Sequence, residues 1–213
     1  MNKYLFLYRE ISRGQSVLRA FLNYRLCTET LVGSVIDIGG GGSDQYISFM
    51  KKQKDIKFKT FDVKVGDTID FETDSLPIKN ESFDTVLFLN VMEHIYNHQH
   101  IANEVVRITK VDGKLLGFVP FLMWYHPDHR DFFRYTHEAL EKIFTDTHAK
   151  DIQIEPISMG PFIAATHIML LSFPRIVRPV IFTFNYLLDI VYLTFRPTNV
   201  GKYPLGYFFT VKK

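Results

Sequence analysis

The stretch Pro120–Thr136, P-F-L-M-W-Y-H-P-D-H-R-D-F-F-R-Y-T, gathers imidazoles at His126 and His129, carboxylates at Asp128 and Asp131, and guanidiniums at Arg130 and Arg134. Aromatic residues Trp124, Tyr125, Phe132, Phe133 and Tyr135 are interleaved with them. An imidazole titrates near neutral pH and can take a proton from a hydroxyl or an acidic carbon when a carboxylate holds it in place. His126 and His129 are therefore the first candidates for a general base, with Asp131 as the orienting partner. His94, in the pair Glu93-His94, competes with them, and Trp124, Tyr125, Arg134 and Tyr135 are the candidates for contacting an acceptor. The same residues serve a purely structural turn equally well, with Arg134 bridging to a backbone carbonyl or to Glu93. His126, Asp128, His129 and Asp131 also offer nitrogen and oxygen ligands, but no fixed helical spacing frames them, and no metal is expected.

Such groups need a scaffold that brings a reactive partner to them. Val35–Ser43 reads V-I-D-I-G-G-G-G-S, an apolar strand with an acidic residue inside it and a glycine turn at its end. A strand that runs into glycines and then a helix lets the backbone approach a ligand closely, with free N–H groups facing the same crevice. The dinucleotide pattern G-x-G-x-x-G fails in both registers, since its third glycine would fall at Asp44 or Gln45, and no Gly-Lys-Ser or Gly-Lys-Thr of a phosphate loop follows. Asp37 repels a pyrophosphate and attracts a cation, which favours S-adenosylmethionine with its sulfonium and amino groups.

Ile56–Asp62 alternates as a second strand and ends in a carboxylate about twenty positions after the glycines, where an acid can accept hydrogen bonds from ribose hydroxyls. Ile69–Ile78 reads I-D-F-E-T-D-S-L-P-I, Phe83–Asn90 is apolar enough for a strand covered on both faces, and V-M-E-H-I follows at Val91–Ile95. With these motifs in this order, the chain resembles the class I S-adenosylmethionine-dependent methyltransferases, in their small ubiquinone- and menaquinone-methylase-like branch (methyltransferase type 11 domain), from about Val35 to Phe144 and again at Tyr203–Lys213. The resemblance implies a Rossmann-like α/β fold with a seven-stranded, mostly parallel sheet and an antiparallel last strand. It implies that the turn matching Gly39, Gly40 and Gly41 holds the methionine part of the cofactor beside Asp37, and that Asp62 holds the ribose. It further implies that Glu72 and Thr73 hold the adenine, with Asp74 as the fallback in another register, and that Asn90 lies near the transferred methyl group. Two positions depart from the family pattern: Gly40 stands where a small or sulfur residue is usual, and Ser43 where a third glycine is usual.

The remaining elements follow the same order. Ser16–Thr30 reads as an amphipathic helix, Gln99–Lys110 as another, Val111–Lys114 as a turn into a strand at Leu115–Pro120, Thr136 as the cap of a helix through Phe144, Ile152–Ile157 as the sixth strand, and Gly206–Val211 as the last, paired between strands five and six. The 213 residues divide into an N-terminal helical segment (1–33), a cofactor-binding core (34–157), an apolar helical insertion (158–198) and a final strand (199–213), all in one domain.

Lys and Arg number 25 against 23 Asp and Glu, so no global field signals a nucleic-acid groove, and the basic run Lys51–Lys59 reads as a solvated helix end. Cys27 is the single cysteine, which suits a reducing, cytoplasmic setting, and Met1–Tyr8 is too short for a secretory signal. From Pro156 to Pro174 there is no charged residue, and Pro179–Phe195 is interrupted by Asp189 alone. That segment reads as a lid over the acceptor site, a surface-lying contact with the cytoplasmic membrane face, or a homodimer interface. The expected activity is transfer of a methyl group to an oxygen or carbon of a small, lipophilic or membrane-linked acceptor, leaving S-adenosylhomocysteine. The alternatives are a non-catalytic cofactor-binding scaffold and a methyltransferase of cell-surface glycan assembly, which the His-Pro-Asp…Arg-Tyr-Thr stretch also resembles.

Overall fold

Consecutive apolar residues can all be buried only in a strand covered on both faces, and Val86, Leu87, Phe88 and Leu89 meet that condition. The computed structural model describes residues 1–40, 45–62, 69–127 and 130–213. Two helices, α1 (Lys3–Ser12) and α2 (Val17–Leu26), precede β1 (Thr30–Leu31) and β2 (Ser34–Ile38). Then come β3 (Lys51–Lys52), β4 (Lys57–Phe61), β5 (Phe83–Leu89), α3 (His98–Ile108), β6 (Thr109–Pro120), α4 (His137–Thr145) and β7 (Asp151–Ser158). The chain closes with α5 (Pro161–Met169), α6 (Arg178–Phe195) and β8 (Pro204–Lys212).

Six strands form the main sheet in the order β4-β2-β5-β6-β8-β7. The first four are parallel, and β8 lies antiparallel between β6 and β7, the place expected for the last strand. Side chains on one face pack with α1, α2, α5 and α6 through residues such as Leu7, Phe21, Ile163 and Phe182. Those on the other face pack with α3 and α4 through Ile101, Val105, Leu140 and Phe144. The caps follow the sequence: the Ser16 side chain accepts from Arg19 N before α2, and the Thr136 side chain accepts from Ala139 N before α4.

Three expectations need correction. Among the described residues the main sheet has six strands rather than seven, and residues 70–74 fold back on their own carboxylates. The Asp70 side chain accepts from Glu72 N at 2.9 Å and that of Asp74 from Asp70 N at 2.9 Å, which holds 70–74 in a turn where an edge strand would need extended backbone. After the glycine turn the described residues form a short 3-10 helix, Gln45–Phe49, which leads directly into β3 paired parallel with β1. The basic run is thus exposed strand and turn, not the end of a helix. Finally, the expected turn at Val111–Lys114 lies within β6, where Asp112 takes a left-handed backbone (φ 61°) and the register against β5 shifts.

Asp189, the one acid in the carboxyl-terminal apolar run, has a clear role. It is fully buried, and its carboxylate accepts from the backbone N–H groups of Gly160, Phe162 and Ile163 at 2.9–3.0 Å. Those are the free donors at the start of α5, so one carboxylate on α6 caps the neighbouring helix and fixes the pair together. No described helix is long and apolar enough to cross a membrane.

Candidate functional site

Two groups of residues meet at the carboxyl edge of the parallel strands, where ligands of open α/β sheets sit. The first is the glycine turn. β2 ends at Ile38, opposite Phe61 of β4, and Gly39 N donates to Phe61 O at 2.8 Å, so Asp62 begins beside the turn. Gly39 has φ +75°, a conformation that disfavours side chains, and any Cβ there would press into Val91. A Cβ at Gly40 would overlap the Asp37 carboxylate, so its absence keeps open the space beside that acid. Tyr46 donates its hydroxyl to Asp37 Oδ2, while Asp37 Oδ1 is buried with no partner among the described residues. Burial raises the Asp37 carboxyl to about 6; the Tyr46 hydrogen bond opposes this and the nearby Asp62 charge adds to it. An orphaned carboxylate oxygen, a second acid and a side-chain-free turn suit a ligand carrying both positive charge and a diol.

The second group joins the loops that follow β5 and β6. Phe132 N donates to Glu93 O at 2.9 Å, and Tyr135 donates its hydroxyl to Met92 O at 3.2 Å, which ties the later loop onto the earlier one. The His94 and His126 rings then meet edge to face, 5.3 Å apart. His94 Nδ1 donates to Arg130 O, which leaves Nε2 turned toward the Glu93 carboxyl, 3.8 Å away. Asp131 accepts from His126 N at 3.0 Å and lies 3.6 Å from His126 Nδ1, while Arg134 grips Asp131 at 2.7 Å. That guanidinium holds the Asp131 carboxyl down at about 2, so the group stays ionised. His126 Nδ1 has no hydrogen-bond partner among the described residues, so the ionised Asp131 acts on it by charge alone, which favours the tautomer with its proton on Nδ1.

Residues 42–117 match the family model for the methyltransferase domain. Over those residues the chain is similar to that domain. Among solved structures, the chain is similar to an S-adenosylmethionine-dependent methyltransferase from Archaeoglobus fulgidus, at 16% identity over 99% of this chain and 100% of that one, with a TM-score of 0.54. It is also similar to phosphoethanolamine N-methyltransferase 2 of Haemonchus contortus, solved with S-adenosyl-L-methionine, at 18% identity over 90% of this chain and 51% of that one, with a TM-score of 0.51. A third is a putative methyltransferase in complex with the Haloferax volcanii Trm112 activator, at 14% identity, covering 99% and 97% of the two chains with a TM-score of 0.50. At these identities the likeness concerns the fold, and the chain spans about half the length of the Haemonchus enzyme. No curated protein sequence matches.

The expected site residues separate into two sets. Asp37, Gly39, Gly40, Asp62 and Asn90 meet along the ends of β2, β4 and β5, where Asn90 turns the chain with φ +56° and its N–H donates to Phe118 O. His94, His126 and Asp131 come together as described, and Trp124 and Tyr125 remain exposed beside them. Gly41 and His129 lie outside the described residues, as do Ser43 and Asp128.

Four other residues are committed to holding the scaffold. Glu72 accepts from Tyr96 N at 2.8 Å and Asn97 N at 2.6 Å, so its carboxylate ties two loops together, and Thr73 N donates to Asp70 O within the turn. Arg134, expected to contact an acceptor, donates instead to Asp131 and to the carbonyls of Phe133 and Trp124. Tyr135, placed with the acceptor contacts in the sequence, is 4% exposed and spends its hydroxyl on Met92 O, because its ring packs into the core on the α3 side.

The residue underrated in the sequence is Glu93. It is fully buried, and neither carboxyl oxygen has a hydrogen-bond partner among the described residues. Its carboxyl and the rings of His94 and His126 offer ligand atoms within 4.8 Å of one another, the only such grouping of His, Cys, Asp and Glu among the described residues. That trio can share a proton or grip a cation. An acid embedded in the apolar stretch V-M-E-H-I, directly after a buried strand, was the available signal.

Burial pushes Glu93 from an ordinary 4.5 up to about 8, with Arg134 opposing the rise. The fold therefore retains a proton that the unfolded chain has lost. Its stability is full below pH about 4.5 and falls as pH rises to about 8, with a ceiling near 5 kcal/mol at about 1.36 kcal/mol per pH unit. Glu93→Gln is expected to match the parent melting temperature at pH 5 and exceed it by several degrees at pH 8.5. Thermal melts across that range check this, and parallel profiles for the two proteins would contradict it.

Proposed function

We propose that this protein is an S-adenosylmethionine-dependent methyltransferase acting on an oxygen or carbon of a small, apolar or lipid-linked acceptor. The observation that carries the reading is the pairing of two sites on one sheet edge: an open glycine turn flanked by Asp37 and Asp62, and a histidine whose Nδ1 lies 3.6 Å from an ionised aspartate. S-adenosylmethionine, when bound, supplies an electrophilic methyl group on a sulfonium. Gly39 and Gly40 admit the methionine part, Asp37 faces its positive charge, and Asp62 accepts from the ribose hydroxyls. His126 Nε2 removes the acceptor proton as the acceptor takes the methyl group, and Asp131 steadies the imidazolium that results. Arg134 positions Asp131 and the carbonyl of Trp124, so the aromatic wall and the base are set by one guanidinium.

The apolar character of the acceptor is supported by exposed Trp124 and Tyr125 and by α5, whose buried His167 lies 5.6 Å from the Trp124 ring. The helical insertion thus borders the aromatic wall in the manner of a lid. Incubation with S-adenosylmethionine carrying a labelled methyl group and a panel of quinol, lipid and water-soluble phenol acceptors tests this. Label moving into the organic phase supports the reading; transfer confined to water-soluble acceptors overturns the acceptor class.

A further inference from the structure

Helix α6 is apolar on both sides. Pro179, Phe182 and Asp189 face the interior, yet the opposite side shows Val180, Phe184, Leu187, Val191 and Phe195, spaced as one continuous helical stripe. Val180, Phe184 and Phe195 are 68%, 63% and 79% exposed. Helix α1 widens the stripe into a surface: Tyr4 bonds its hydroxyl to Thr183 Oγ1 at 2.9 Å, and Tyr4, Leu5 and Tyr8 line a groove of about 580 Å³ with Val180, Phe184 and Leu187. A contiguous apolar surface of this kind has a partner.

Charge identifies that partner. Between residues 156 and 213 the chain has six Lys and Arg and a single acid, Asp189, which is buried as a helix cap. Arg175 and Arg178 stand at the amino end of α6, and Arg196 and Lys202 just beyond its carboxyl end, so both ends of the stripe are cationic. In α1 the one acid, Glu10, is buried against Asn23 and Arg13. A second copy packed two-fold on this face would set cationic ends against each other with no exposed acid to offset them. An anionic lipid surface satisfies both features: headgroups meet the Arg and Lys side chains, and the stripe enters the acyl boundary while α6 lies in the plane of the bilayer.

We infer that the α1–α6 face docks on membranes rich in anionic lipid. The inference does not depend on the proposed chemistry, since the test needs neither cofactor nor acceptor. The full chain is co-sedimented with vesicles of phosphatidylcholine alone and of phosphatidylcholine with 30% phosphatidylglycerol (about a third anionic, enough for a strong surface potential). Wild type is expected to bind the anionic vesicles at least ten-fold more tightly than the neutral ones and to weaken as salt rises. Phe184→Glu, at an exposed position, is expected to lose that binding while its melting temperature stays unchanged, and Arg175→Glu with Arg196→Glu to lose it separately. Equal sedimentation of wild type and Phe184→Glu, indifference to lipid charge, or a wild-type dimer in solution that Phe184→Glu converts to monomer would each overturn the inference.

Discussion

Asp62→Ala is expected to weaken S-adenosylmethionine binding by about 100-fold or more, because a carboxylate that accepts from two hydroxyls contributes roughly 1.5–3 kcal/mol per hydrogen bond. The position makes the effect local. Asp62 follows the last residue of β4, whose register with β2 is fixed from Ser34↔Lys57 to Ile38↔Phe61, and it is only partly buried. The β2–β4 register is made by backbone pairing, so the variant should keep its far-ultraviolet dichroism. Calorimetry on both proteins decides the matter, and an unchanged affinity would remove Asp62 from the cofactor site.

His126→Ala is expected to lower turnover by about 10²- to 10⁴-fold, the usual worth of a positioned general base, with little change in cofactor affinity. The imidazole lies across the sheet edge from the glycine turn and is held by the Asp131 carboxylate near Nδ1, so its removal leaves the cofactor residues in place. Asp131→Asn should give a smaller loss in the same parameter, since it frees the ring to adopt the other tautomer. His94→Ala provides the contrast: its Nδ1 is spent on Arg130 O, and its loss should act through the loop rather than through proton transfer. A His126→Ala enzyme with parent turnover would contradict the assignment of the base.

Much of the architecture was legible because it depends on local pattern. The apolar run at Phe83–Asn90, the capped start of α4 at Thr136 and the last strand at Gly206–Val211 all declare themselves through periodicity or punctuation, and β5, α4 and β8 lie there, β8 running slightly longer at both ends. The glycine turn was legible for the same reason: adjacent glycines after a buried strand have few other uses. What escaped depends on contacts distant in sequence. The sequence does not reveal that the Glu72 carboxylate accepts from Tyr96 and Asn97, more than twenty positions away. Asp189 looked like an interruption in an apolar helix, and only the packing of α6 on α5 shows it capping Gly160, Phe162 and Ile163.

Side-chain direction was the other hidden variable. Arg134 and Tyr135 sit in the aromatic, charged loop that suggested acceptor contacts, yet one folds back onto Asp131 and the other points into the core. Alternation in an irregular loop does not reveal which residues face the cleft, because no fixed period governs it. That no edge strand follows β4 among the described residues has a similar origin. Asp70 and Asp74 prefer backbone donors in their own turn over the extended ladder, a competition that composition alone does not decide.

We propose that the glycine turn with Asp37 and Asp62 forms an S-adenosylmethionine site. Its most direct test is calorimetric titration of the purified protein with S-adenosylmethionine and, separately, with S-adenosylhomocysteine. Saturable binding of one molecule of each per chain is expected, weakened in Asp62→Ala by about 100-fold or more. A well-folded protein that binds neither would contradict it.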